Sequence, residues 1–334
     1  MKTVIPTLFY LLLLGCQPVL EERKRMNNVR ERVETYCLAR HAVSIPESFK
    51  MSPVATGIFK LEGSGASGPA FDIAVQASDI TKPKFDLFVQ KRRAELSESE
   101  SETIKILKLD QTLPDGSVLF RVQEIGESYF SELYMLRGTS VVKIRLESFR
   151  NTYVEAEKRI FELSTNIRAS SVNASLTSNE FCLGPVIISS KMSKEYASFM
   201  FRDDHGLTFG VEVDTYTPDE PVSLISRMSG ADSLLSKFKV KHNVIRARER
   251  VVANMQAEEW LGVGYLGNGG DRRTLKFVLE TKRRDPGREK PSLTLAFDSA
   301  QPLKDGTPTK TNISDAEATE LWEQVVNSIR FLNE

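Results

Sequence analysis

The chain has 334 residues, 40% hydrophobic and 27% charged, which is enough apolar material for sizeable cores and rules out a disordered chain. Its 45 Lys and Arg balance 45 Asp and Glu, so no net field gathers phosphates, and the attraction that dominates nucleic-acid binding is missing. The length predicts two domains rather than one, and the charge balance argues against nucleic acid as a partner.

The first element lies in residues 1–16. Met1-Lys2 leads an apolar run over residues 4–14 that closes on Leu13-Leu14-Gly15-Cys16. A basic start, a short apolar core and a small residue before the cut are what a secretory signal needs. The run falls short of the roughly 20 apolar residues that span a bilayer. The segment resembles a bacterial lipoprotein signal with its lipobox, the other readings being a plain secretory signal or an uncleaved anchor. That resemblance implies removal of residues 1–15 and acylation of Cys16, with fatty chains holding the protein to a membrane at about 0.8 kcal/mol per buried methylene. Gln17, in place of Asp, implies by the sorting pattern of lipoproteins a periplasmic protein anchored to the outer membrane. Residues 16–30, rich in Glu, Lys and Arg, read as the lipidated tether and the lead into the first helix.

From residue 31 the chain repeats itself. Tyr36-Cys37-Leu38-Ala39-Arg40-His41-Ala42-Val43-Ser44-Ile45 is echoed by Phe181-Cys182-Leu183-Gly184-Pro185-Val186-Ile187-Ile188, an offset of 182 minus 37, or 145. Phe71-Asp72-Ile73-Ala74-Val75 is matched by Phe209-Gly210-Val211-Glu212-Val213, an offset of 209 minus 71, or 138. Both alternate as half-buried strands do. Pro83 suits the first turn of a helix, where its missing N–H would find no partner, and it precedes an apolar face of Phe85, Phe88 and Val89. Pro221 stands in the same way before Val222, Ile225 and Met228.

Strand-like runs follow at 104–109, 118–125, 131–136 and 141–146, and again at 244–252, 258–266, 275–279 and 293–297. Asp115-Gly116 and Gly267-Asn268-Gly269-Gly270 supply the positive-φ turns that tight antiparallel connections need. Each copy ends on an amphipathic helix, one through Tyr153, Ala156, Ile160, Leu163 and Ile167, the other through Ala318, Leu321, Val325, Ile329 and Leu332. Thr152 with Glu155, and Ser314 with Glu317, are expected to form capping boxes. Strand runs closed by helices, without βαβ alternation, predict an α+β fold of two related tandem domains, each an antiparallel sheet packed with helices. The modules are placed at 31–172 and 178–334, divided at a Ser/Asn/Thr-rich stretch over 170–178.

Cys37 and Cys182 occupy equivalent repeat positions. Two remaining thiols in an oxidising compartment often pair, but only if the first strands of the modules face one another with α-carbons roughly 4.4 to 6.8 Å apart. Buried free thiols, packed as small apolar residues, are the favoured reading and the bridge its alternative.

Catalytic chemistry finds few candidates. His41, His205 and His242 lack the Cys or carboxylate spacing of a zinc site, so neither a metal nor a cofactor is expected. Gly63-Ser64-Gly65-Ala66-Ser67-Gly68 is not a nucleophile elbow and reads as a loop. Gly262-Val263-Gly264-Tyr265-Leu266-Gly267 fits the dinucleotide glycine pattern but leads into Asn268-Gly269-Gly270-Asp271 and no helix that could hold a pyrophosphate, so it reads as a hairpin. Asp203-Asp204 and Glu212 with Asp214 read as a solvated sheet face. What remains is separated charge: an acidic stretch of Glu95, Glu98, Glu100 and Glu102, and a basic set of Arg246, Arg248 and Arg250 with Arg272, Arg273 and 282–284. Opposed patches of this kind orient docking.

The openings at Tyr36 and Phe181, with Ala197-Ser198-Phe199-Met200-Phe201-Arg202-Asp203 and Gly206-Leu207-Thr208-Phe209-Gly210-Val211-Glu212-Val213-Asp214-Thr215-Tyr216, resemble the immunity lipoproteins of type VI secretion lipase effectors, the fourth class. The resemblance spans nearly the whole chain beyond the tether. It implies a periplasmic, non-enzymatic protein that holds a secreted α/β-hydrolase lipase effector between its modules and protects the producing cell. No family motif marks contact residues, so the acidic stretch, the arginines and the loop over 262–273, with Tyr265 and Asn268, are the expected contacts. A carrier of lipid or protein is the alternative, and it would need a sizeable apolar cavity.

Overall fold

The computed structural model describes residues 32–62, 69–102, 105–170, 176–216, 222–237, 242–266, 272–282, 286–299 and 313–332. The signal, Cys16 and the tether lie outside them, as do the loop over 63–68 and the glycine turn over 267–270.

The chain opens with the hairpin β1 (Val33–Ala39) and β2 (His41–Pro46), then β3 (Lys50–Met51), β4 (Ala55–Leu61), β5 (Phe71–Ala77) and helix α1 (Lys82–Glu102). A meander follows, β6 (Ile106–Thr112), β7 (Val118–Gln123), β8 (Ser128–Arg137) and β9 (Ser140–Phe149), closed by α2 (Tyr153–Ser164) and β10 (Ile167–Ala169). The second half repeats the order: β11 (Glu180–Leu183), β12 (Val186–Ser189), β13 (Met192–Arg202), β14 (Thr208–Asp214), α3 (Leu224–Lys237), β15 (His242–Val252), β16 (Met255–Leu266), β17 (Arg272–Thr281), β18 (Ser292–Asp298), α4 (Asp315–Ser328) and β19 (Arg330–Phe331). Sheet predominates, and among the described residues every strand pairing is antiparallel.

Two sheets carry the fold. Read outward from its centre, the large 13-stranded sheet runs β4-β5-β9-β8-β7-β6 in one direction and β13-β14-β18-β17-β16-β15 in the other, with β3 on β13. The six-stranded sheet runs β10-β12-β11-β1-β2-β19. Both orders place equivalent strands of the two halves symmetrically. The halves therefore share both sheets: β4 pairs with β13, β1 with β11, and each half sends its last strand to the other's hairpin, β10 to β12 and β19 to β2. The stretch over 170–178 separates two sets of strands rather than two sheets.

Period-two alternation builds the core. Phe209, Val211 and Val213 of β14 turn inward opposite Phe297, Leu295 and Leu293 of β18, while Glu212 faces outward. The small sheet closes over them with Leu38, Val43, Ile45, Phe181, Leu183, Val186 and Ile188, and edge contacts of Phe59 with Phe181 at 4.9 Å and Tyr36 with Phe201 at 4.8 Å join the layers. Each such phenylalanine contributes about 1.5–3 kcal/mol by leaving water. On the opposite face of the first-half meander, Phe85, Val89 and Leu96 of α1 cover Val118, Phe120, Val122 and Phe130.

The helix ends depart from the sequence reading. Thr152 does not cap α2; its hydroxyl accepts from Phe149 N–H and donates to Phe149 C=O, within a 3-10 turn over Arg150–Thr152. The box at Ser314 and Glu317 does form. Ile167 and Ile329 lie past the ends of α2 and α4: Ile167 is buried because β10 docks on β12, where another helical turn would have put it elsewhere. Leu332, read as the last position of that helical face, follows β19. Val222 is exposed, and Leu224 supplies the first buried side chain of α3.

Candidate partner-binding site

The basic stripe has internal partners. Arg246, Arg248 and Arg250 share one side of β15, where strand spacing puts them, and they meet Glu259 of β16 at 2.8, 2.9 and 2.7 Å. Glu323 of α4 accepts from all three, and Asn327 takes the far end of Arg250. Glu259 has no exposed surface, and Trp322 Nε1 donates to it at 2.7 Å. Burial alone would raise the Glu259 carboxyl; the Trp322 bond and the Arg250 and Arg246 charges bring it below the ordinary range. The cluster pins α4 to the end of the large sheet. Within the cluster three guanidiniums face two carboxylates, and only Arg248 keeps much of its side chain in solvent.

Other expected contacts are similarly engaged. Arg273 holds Ile313 C=O at 2.6 Å and pairs with Asp315, tying β17 to the start of α4. Tyr265 is half-buried against the core. Lys282 bridges Glu249 and Glu258. Glu95 pairs with Arg92, whose guanidinium also grips buried Glu132, and Glu98 is exposed on α1. The side chains of Glu100, Glu102 and Arg272, and residues Asn268 and 283–284, lie outside the described residues. Asp203 makes a turn, accepting from His205 N–H and Leu207 N–H. Gly262 and Gly264 lie in β16, as the hairpin reading expects.

Cys37 and Cys182 are bonded, with α-carbons 5.7 Å apart. β1 and β11 face each other directly, Ala39 opposite Cys182, so the condition set for a bridge is met and the free-thiol reading is set aside.

Sequence reasoning missed one polar cluster. Ala39 takes a left-handed backbone, φ 56°, at the β1–β2 turn where the second copy has Gly184, and this directs Arg40 inward. Arg40 and Glu195 are both buried, joined through Nε at 3.1 Å and Nη2 at 2.5 Å, while Nη1 donates to Ser178 C=O and Glu180 C=O. His41 follows, 1% exposed, and neither ring nitrogen has a hydrogen-bond partner. Burial, with the Arg40 charge beside it, lowers this imidazole to about 4. A cavity of about 380 Å³ opens beside Arg40, among Ser178, Asn179, Asn254, Lys290 and Phe331. The available signal was Arg40-His41 inside an otherwise apolar run. Among the described residues no cluster suited to a metal occurs, and no helix is long and apolar enough to cross a membrane.

Residues 177–333 match the family model described as the Tle cognate immunity protein 4 C-terminal domain. The apo structure of immunity protein TplEi of the T6SS from Pseudomonas aeruginosa is similar over 92% of this chain and 99% of its own, with a TM-score of 0.64 and 18% identity. A chain in the crystal structure of the Tle4-Tli4 complex is similar over 90% of this chain and 98% of its own, with a TM-score of 0.64 and 19% identity. TplEi complexed with "L" peptide, again from Pseudomonas aeruginosa, gives 0.60 and 21% over 90% and 99%. At such identities the likeness establishes the fold. No curated protein matches the chain. Residues 177–333 thus match the C-terminal domain of a Tle cognate immunity protein 4, and the chain shares the fold of the TplEi and Tli4 structures along at least 90% of its length.

Proposed function

We propose that this protein is a periplasmic immunity protein that binds a type VI secretion lipase effector and blocks it sterically, sparing the cell that makes it. The observation that carries the reading is the immunity-protein C-terminal domain in residues 177–333, and the fold shared with a chain of the Tle4-Tli4 complex supports it. The described polar clusters suit binding rather than turnover: their carboxylates and guanidiniums neutralise one another and hold strands and helices together. The duplicated halves, sharing two sheets and a disulfide, act as one preorganised body, which lowers the ordering cost of gripping a partner. A lipid on Cys16 would station the inhibitor at the membrane whose lipids the enzyme attacks.

Co-expression with a type VI secretion lipase effector of the same cell, followed by gel filtration, tests the proposal. A stable complex eluting ahead of either protein is expected; separate elution of two folded proteins would refute it.

A further inference from the structure

We propose that the cavity at Arg40 is an anchoring pocket for an acidic side chain of the effector, one carried next to an apolar residue. This deepens the proposed function and rests on it.

Distant segments of the chain converge there. Arg40 comes from the β1–β2 turn, Ser178 and Asn179 from the approach to β11, Ala253 and Asn254 from the β15–β16 turn, Lys290 from the segment before β18, and Phe331 from the last strand. Five described residues other than glycine have positive φ, and three of them, Ala39 at 56°, Ala253 at 46° and Asn254 at 59°, line or flank this cavity. All three sit in two-residue hairpin turns, between Leu38 and His41 and between Val252 and Met255, where positive φ matches the twist of the paired strands.

The lining chemistry selects the ligand. Arg40 has five N–H groups; Glu195, Ser178 and Glu180 occupy four of them, which leaves one on Nη2. The Lys290 ammonium has no hydrogen-bond or ion-pair partner among the described residues, and Arg288 at the rim shares Glu62 at 3.1 Å. Against these cations the lining offers one carboxylate, Glu289. Phe331 supplies an apolar wall, its ring backed by His41 at 4.4 Å. A volume of about 380 Å³ is near the lower end of ligand sites and holds one or two side chains. A carboxylate reaching Lys290 and the free Arg40 N–H, with an apolar neighbour on Phe331, satisfies this set.

The test compares effector affinity for the wild type, Lys290→Glu, and Lys91→Glu on the exposed surface of α1, by calorimetry on chains lacking residues 1–16. Lys290→Glu is expected to weaken binding at least tenfold with an unchanged melting temperature, and Lys91→Glu to bind as the wild type does. Recovery of affinity when one acidic residue of the effector is changed to Lys would identify the anchored side chain. Wild-type affinity in Lys290→Glu overturns the pocket and leaves the immunity function standing. Absence of binding by the wild type overturns both.

Discussion

Phe331, in the last strand, pairs in register with His41, in the second, and their rings lie 4.4 Å apart. The end of the chain thus seals the hairpin at its beginning, as β10 seals the equivalent hairpin of the other half. Phe331→Ala should lower stability by about 2 kcal/mol, less than the loss of a fully buried ring, and a chain ending at Ser328 should lose more. Urea unfolding of full-length and shortened chains measures both.

The burial of His41, with the Arg40 charge beside it, sets a pH dependence. His41 titrates at about 4 when folded and at 6.5 when exposed, so between these values the unfolded chain binds a proton that the folded chain refuses. Stability from this residue is fully present above pH 6.5 and is lost as pH falls towards 4, about 3 kcal/mol in all. His41→Leu, which forfeits no hydrogen bond, should flatten the stability profile between pH 6.5 and 4.5 relative to the wild type. Parallel profiles would show that His41 is not the group responsible.

Glu259 holds three arginines and the Trp322 N–H without any exposure to water. Glu259→Gln leaves those guanidiniums short of a buried charge, a loss of about 3–5 kcal/mol. Chemical denaturation should show a lowered midpoint. Arg248→Ala, at the exposed rim of the cluster, should cost under about 1 kcal/mol.

The Cys37–Cys182 bridge closes a loop with a sequence separation of 145, for which chain entropy gives at most about 5 kcal/mol of stabilisation. Thiol titration of the denatured chain lacking residues 1–16 should find none without reductant and two with it. The double Cys→Ala variant should melt well below the wild type. Two thiols without reductant would mean that the strands meet unbonded.

Much of the fold was legible because its signals are local. Alternation marked β5 and β14 at Phe71 and Phe209, Ser314 and Glu317 marked the start of α4, and the echo of Tyr36-Cys37 in Phe181-Cys182 marked equivalent strands. Pairings set by distant parts of the chain were not legible. No local pattern says that β19 belongs beside β2 or that Arg40 meets Glu195. For Arg246, Arg248 and Arg250 the shared strand face was legible but the internal partners were not, because charges at strand spacing look the same on a solvated face as beneath a helix bearing Glu323. Thr152 misled because a 3-10 turn ahead of α2 drew its hydroxyl to Phe149.

The most direct measurement titrates the chain lacking residues 1–16 against a type VI secretion lipase effector of the same cell and follows phospholipid hydrolysis. Activity should fall in proportion to added protein and vanish near one equivalent. Undiminished hydrolysis at a large excess of folded protein would contradict the account.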